Sequence, residues 1–217
     1  MSFIQGTLLN YFQRGGPVMW PLLLMAILGL AFIIERWWVF AKSRIKVEDF
    51  LNKMRVALLK RKSVKEAITI CEEYKGPIAN ILKAGLLKYG ATDEEIEKSI
   101  EIAVTHELAR LERGLPILAT VANVSPLLGF LGTVTGMIVS FEALAREGLK
   151  NPAAVFAGIG QALITTATGL AIAVPALLFY NWFSSRVSRF VMDMETGSNM
   201  LLETFVEMEA SPTGGSE

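Results

Sequence analysis

The chain has 217 residues, with 21 Lys and Arg balancing 21 Asp and Glu, which argues against a strongly basic nucleic-acid binder. Hydrophobic residues make up 52% and charged residues 19%, and the mean hydropathy is +0.43, the balance of a membrane protein rather than a soluble domain. With a single Cys71 and a single His106, neither an intrachain disulfide nor a Cys/His zinc site can hold the fold, so helix packing must.

Residues 1–16 read as an outer, interfacial segment. Pro17 to Ile34 then run without a charge, close to the roughly 20 apolar residues that a hydrocarbon core of about 30 Å requires, so a first span is predicted over 17–40. It is too long for a signal-peptide core and lacks a small-residue cleavage site behind it, so it is expected to stay as an anchor. It ends in Glu35, Arg36, Trp37 and Trp38, which suit the membrane interface: the charges can snorkel and the indoles fit an aromatic belt.

Residues 41–114 read as a helical region outside the bilayer. Val47, Phe50, Leu51, Met54 and Leu58 recur at helical spacing, Ser63 with Glu66 reads as a capping box, and Gly76-Pro77 ends one helix and opens another that stops near Gly90. Thr92 with Glu95 is a second capping box, and Asp93 and Glu94 place negative charge at the positive end of the helix dipole. No strong stop follows, so one helix is expected from there to about residue 145, bent but not ended by Pro116 and Pro126. At 1.5 Å per residue it would be about 80 Å long.

The second span is predicted over 115–141, a short outer loop over 142–151, and a third span over 152–185 with Asn151 as N-cap and Pro152 in the first turn. Helical spacing continues over 186–209, where Phe190, Met194, Leu201, Phe205 and Met208 share one face suited to packing between helices. Residues 210–217, ending in SPTGGSE, read as a low-complexity disordered tail. The fold class is therefore an all-α membrane protein of three transmembrane helices, the second and third extended far into the cytoplasm.

Orientation follows from the basic residues, which are retained on the cytoplasmic side of span ends. Residues 42–114 carry fifteen Lys and Arg, and Arg186 and Arg189 follow the third span, whereas the other side has Arg14, Arg146 and Lys150. The N-terminus is expected in the periplasm and the C-terminus in the cytoplasm.

Within lipid, helices associate through small residues and paired polar groups rather than through burial from water. Gly129, Gly132, Thr133, Gly136 and Ser140 give the second span such a face, and Gly158, Ala162, Thr165, Gly169, Ala173 and Ala176 give one to the third. The first span offers Gly29 and Ala26 among bulky residues and belongs on the outside, facing lipid. Two helices cannot enclose a pore, so a homo-oligomer with the second and third spans around a central space is the economical arrangement. Thr120, Asn123 and Thr133, with Gln161, Thr165, Thr166 and Thr168, are the polar candidates for lining it; the plainer role for any one of them is bonding to its own helix. No Asp, Glu, Lys, Arg or His lies deep in any span. A proton path would need a carboxylate from another polypeptide.

The runs GGPVMWPLLLMAILGLAFIIERWW (15–38), SPLLGFLGTVTGMIVSF (125–141) and GIGQALITTATGLAIAVPALLFYNWF (158–183) resemble the MotA/TolQ/ExbB proton-channel family, most like its ExbB branch. The resemblance implies a non-enzymatic, cofactor-free subunit of a bacterial inner-membrane pentamer. An ExbD-type single-span partner would bring the membrane Asp, and the proton motive force would act through a TonB-type protein on outer-membrane transport. It assigns Thr133 and Thr166 to the proton pathway; Thr165 and Gln161, from the polar cluster of the third span, are read as lining it with them. Gly129, Gly132, Gly136, Gly169, Pro126 and Pro175 are assigned to helix packing. One departure stands out: family members of the ExbB and TolQ type usually carry Glu where this chain has Gln161. A TolQ-like role in envelope maintenance, a scaffold without ion conduction, and sodium in place of protons are the competing readings.

The remaining features have plain roles. His106 reads as a surface or packing residue, Cys71 as a small core residue, and the Lys60-Arg61-Lys62 run as a solvated helix end, with anionic lipid binding as the sharper alternative. Neither a phosphate loop nor a Ser/His/Asp triad can be assembled.

Overall fold

The computed structural model describes residues 10–42, 47–74 and 76–210. The first nine residues of the predicted outer segment, and the predicted tail beyond Ala210, lie outside them. Every regular element in the described residues is helical. After a helical turn at 10–14 come α1 (Met19–Lys42), α2 (Val47–Arg55, continued by a π-helical turn Val56–Lys60), α3 (Val64–Tyr74), α4 (Pro77–Leu86), α5 (Asp93–Glu112), α6 (Leu115–Glu147) and α7 (Pro152–Ala210). Three stretches, Met19–Ala41, Asp93–Glu147 and Pro152–Met208, contain windows long and apolar enough to cross a membrane, with mean hydropathies of 1.9, 1.7 and 2.0.

The described residues form two compact units. The first takes residues up to Arg36 and Gly114–Phe183. Val18, Met19 and Leu22 are buried there against Phe12, Leu128, Ile164 and Ile172. The opposite face of α1 exposes Leu24, Ile27, Leu30 and Ile34, an apolar stripe that only a bilayer or another apolar surface can cover at low cost. Pro126 and Pro175 lie inside α6 and α7 without ending either.

The second unit holds Trp37–Arg113 and the chain from Ser184 onward. Its core buries Phe50, Met54 and Leu58 of the first amphipathic run, Ile78, Leu82 and Leu86 of α4, Ile96 and Ile100 of α5, and Phe190, Met194, Leu201 and Phe205 of the α7 stripe. Phe40 stacks on Phe190 with ring centroids 6.1 Å apart, and Tyr89 meets Phe205 at 5.0 Å. Both capping boxes have the expected donor: the Glu66 amide donates to Ser63 Oγ at 3.2 Å and the Glu95 amide to Thr92 Oγ1 at 3.4 Å. His106 is exposed and Cys71 is buried.

Two expectations need correction. The single helix expected from residue 92 to about 145 is two helices, α5 and α6, parted at Arg113-Gly114, where Gly114 has φ +86°. A left-handed Gly followed two residues later by Pro116 is a stop and a restart, and Phe32 fills the space a Gly114 side chain would need. The short loop is also tighter than expected over 142–151, because α6 runs to Glu147 and one 3₁₀ turn, Gly148–Lys150, leads almost directly into α7.

Candidate functional site

The site is built where α6 meets α7 inside the first unit. Small residues let the two backbones touch: a Cβ on Gly136 would lie 2.7 Å from Ala162 N and Gly158 O, and one on Gly169 would lie 2.6 Å from Ser125 O. A Cβ on Gly129 would stand 3.1 Å from Thr165 O, while Gly132 leaves room for the Thr165 side chain itself. Ser140, 2% exposed, ties the helices further by donating to Val155 O at 2.9 Å. This close approach supplies van der Waals contact between helices in a medium where the hydrophobic effect contributes little.

That proximity brings Thr133 of α6 and Thr166 of α7 together. Their Oγ1 atoms are 2.6 Å apart, and each hydroxyl is also within bonding distance of Gly129 O, at 3.2 Å from Thr133 and 3.1 Å from Thr166. Three contacts share two hydroxyl protons, so only two can be hydrogen bonds at once. One hydroxyl donates to Gly129 O and the other to its neighbour, in either order, or both donate to Gly129 O. In each arrangement both hydroxyl protons are used within the group, which leaves oxygen lone pairs as acceptors. The pair therefore accepts a hydrogen bond from an incoming acid without loss. To receive a carboxylate it must give up one of these internal bonds, worth about 1 kcal/mol.

Of the four residues read as a pathway, only Thr133 and Thr166 meet. Thr165 is fully buried between the helices, and its hydroxyl lies 2.9 Å from Ala162 O and 3.1 Å from Gln161 O of its own helix. Gln161 is turned toward the chain that precedes α1: a Cβ on Gly16 would lie 2.5 Å from its Nε2, and Gly16 takes φ +72°. Five residues separate Gln161 from Thr166, about 140° around the helix. Thr120, Asn123 and Thr168 bond to carbonyls of their own helices, at 2.8, 2.9 and 2.8 Å.

At the other end of α1, Arg36 is only 3% exposed, unlike the snorkelling side chain expected there. It donates through Nε to Glu35 Oε2 at 2.8 Å and through a terminal nitrogen to Oε1 at 2.5 Å, a two-point pair with its chain neighbour. Trp37 and Trp38 are exposed, at 52% and 77%.

Residues 73–196 match the model of the MotA/TolQ/ExbB proton channel family. The chain belongs to that family. The putative biopolymer transport protein ExbB-like 1 of Synechocystis is 37% identical over 180 residues, 80% of this chain and 69% of that protein. A putative ExbB homolog from Methanothermobacter thermautotrophicus is 29% identical across 96% of this chain and 74% of its own length. The Tol-Pal system protein TolQ of Pseudomonas aeruginosa is 44% identical, but over 96 residues, 44% of this chain and 42% of that one. The long matches thus carry the ExbB name, and the chain is most like that branch. Its three apolar helices and these relatives make it a multi-pass membrane protein.

Proposed function

We propose that this chain is the channel subunit of an ExbB-like energy-transducing complex in the cytoplasmic membrane. Several copies, five by resemblance to the family, surround a single-span ExbD-type partner whose membrane Asp carries the proton past the Thr133–Thr166 pair. The observation that carries this reading is the 2.6 Å contact between the Thr133 and Thr166 hydroxyls: a pair whose protons are used in internal bonds favours a protonated acid over a carboxylate, in spans whose deep parts offer no Asp, Glu, Lys, Arg or His. The partner's Asp would dock protonated and leave the pair on ionising. A proton falling through about 150 mV releases roughly 3.5 kcal/mol, enough to bias a rotation or a piston step. The distribution of Lys and Arg supports a periplasmic N-terminus and a cytoplasmic C-terminus.

In this reading the released energy drives a TonB-type protein that opens outer-membrane transporters. The TolQ match supports a second reading, in which the same proton step serves envelope maintenance. Replacing Thr166 by Val keeps the shape of the side chain and removes its hydroxyl. A transducer should assemble and lose energised transport, whereas a scaffold should assemble and work as before.

A further inference from the structure

The second unit contains a cavity of about 320 Å³ that the ion pathway does not use. Its polar wall alternates in charge. Lys83 Nζ lies 2.7 Å from Glu72 Oε1, Asn80 Nδ2 donates to Glu107 Oε1 at 2.7 Å, and Arg110 stands 3.9 Å from the other oxygen of Glu107. Two cations and two carboxylates leave no net charge, so a simple anion or a simple cation gains little from entering. A ligand bearing both signs can satisfy both. Lys83 and Glu72 are 35% and 57% exposed, so their pairing contributes little and exchanging it for a ligand costs little, whereas Glu107 is 14% exposed and is held in place by Asn80.

The rest of the wall is apolar and lies next in the chain to the ends of two apolar helices. Val39 directly follows the exposed Trp37 and Trp38, and Leu111 comes three residues before Gly114, where the membrane-competent part of α6 is about to begin. Exposed indoles at a span end mark the headgroup level of a bilayer. A cavity there, apolar on one wall and carrying both charges on the other, has the chemistry of a zwitterionic headgroup.

We propose that this cavity binds the phosphoethanolamine headgroup of an aminophospholipid. Lys83 and Arg110 hold the phosphate, and Glu72 and Glu107 accept hydrogen bonds from the primary ammonium. The site depends on the membrane reading of the chain but not on the ion pathway, so failure of one leaves the other standing.

The test is lipid binding to the full-length chain in detergent, read by native mass spectrometry with phosphatidylethanolamine, phosphatidylcholine and phosphatidylglycerol as probes. Phosphatidylethanolamine should bind about tenfold more tightly than phosphatidylcholine, whose quaternary ammonium cannot donate, a factor on the scale of one charge-assisted hydrogen bond. Lys83→Gln with Arg110→Gln, which removes the phosphate side, should weaken binding of all three lipids. Glu107→Gln, which keeps the phosphate side, should lower binding of phosphatidylethanolamine while leaving or raising that of phosphatidylglycerol, and it carries the test if the double variant does not fold. Soluble phosphoethanolamine should compete poorly. Equal binding of the three lipids, unchanged preference in Glu107→Gln, or soluble phosphoethanolamine binding as well as the lipid would overturn the assignment.

Discussion

The Gln161 side-chain amide packs against the backbone of Gly16, in space that a methyl group on Gly16 would occupy. The contact explains why a left-handed Gly stands there, and it directs residue 161 away from the hydroxyl pair. A glutamate introduced by Gln161→Glu would put an ionisable carboxyl at that contact, where a charge is costly to bury. The variant should therefore be less stable than the parent at neutral pH, measured by thermal unfolding in detergent. Its proton flux should stay close to that of the parent. A large rise in flux would place residue 161 on the path after all.

The α6–α7 contact should tolerate no added carbon where backbone faces backbone. Gly136→Ala puts its methyl 2.7 Å from Ala162 N and Gly158 O, neither of which can swing aside, and should cost about 1–3 kcal/mol in a denaturant titration. Gly160→Ala is the control. Among the described residues nothing lies within 4 Å of its Cβ position, so the better helix former should leave the isolated chain unchanged or more stable by about 0.5–1 kcal/mol.

Burial pushes the Cys71 thiol up from 9.0 to about 12, with the Lys83 charge opposing it weakly. The folded chain thus holds the thiol proton where the unfolded chain releases it. Below about pH 9 both states keep the proton and the group is silent; between there and about 12 the unfolded state is favoured increasingly. Replacing Cys71 by Ala should flatten that alkaline loss of stability relative to the parent. In the folded parent, alkylation by iodoacetamide at pH 8 should be far slower than in denaturant.

The Thr92 hydroxyl caps α5 through the Glu95 amide, so Thr92→Ala should cost about 1 kcal/mol and lower the helical signal without touching ion flux. A loss of flux without a loss of stability would mean that this cap has a second role.

Much of this architecture is legible in residue patterns, because three uncharged runs, two capping boxes and the Phe190–Phe205 stripe each have one low-energy outcome. The break at Gly114 was legible too, in a Gly followed by Pro two residues on, but the apolar run beginning at Leu115 masks it. The meeting of Thr133 with Thr166 follows from small residues at matching heights on two helices. The seating of Gln161 does not. It depends on a left-handed turn at Gly16, 145 residues earlier in the chain, which no local spacing reveals. The π-helical turn at Val56–Lys60 likewise has no marker in its residues that we recognise.

The central claim is that the paired hydroxyls carry the proton step in company with a foreign acid. The direct measurement is proton uptake, followed by a pH-sensitive dye, in vesicles holding this chain with an ExbD-type partner under an imposed potential. Thr133→Val with Thr166→Val should assemble normally and lower the flux at least about tenfold, the scale of one lost hydrogen bond to a charged or charging group. Ser at both positions should retain most of it. Undiminished flux through the assembled double Val variant would contradict the account.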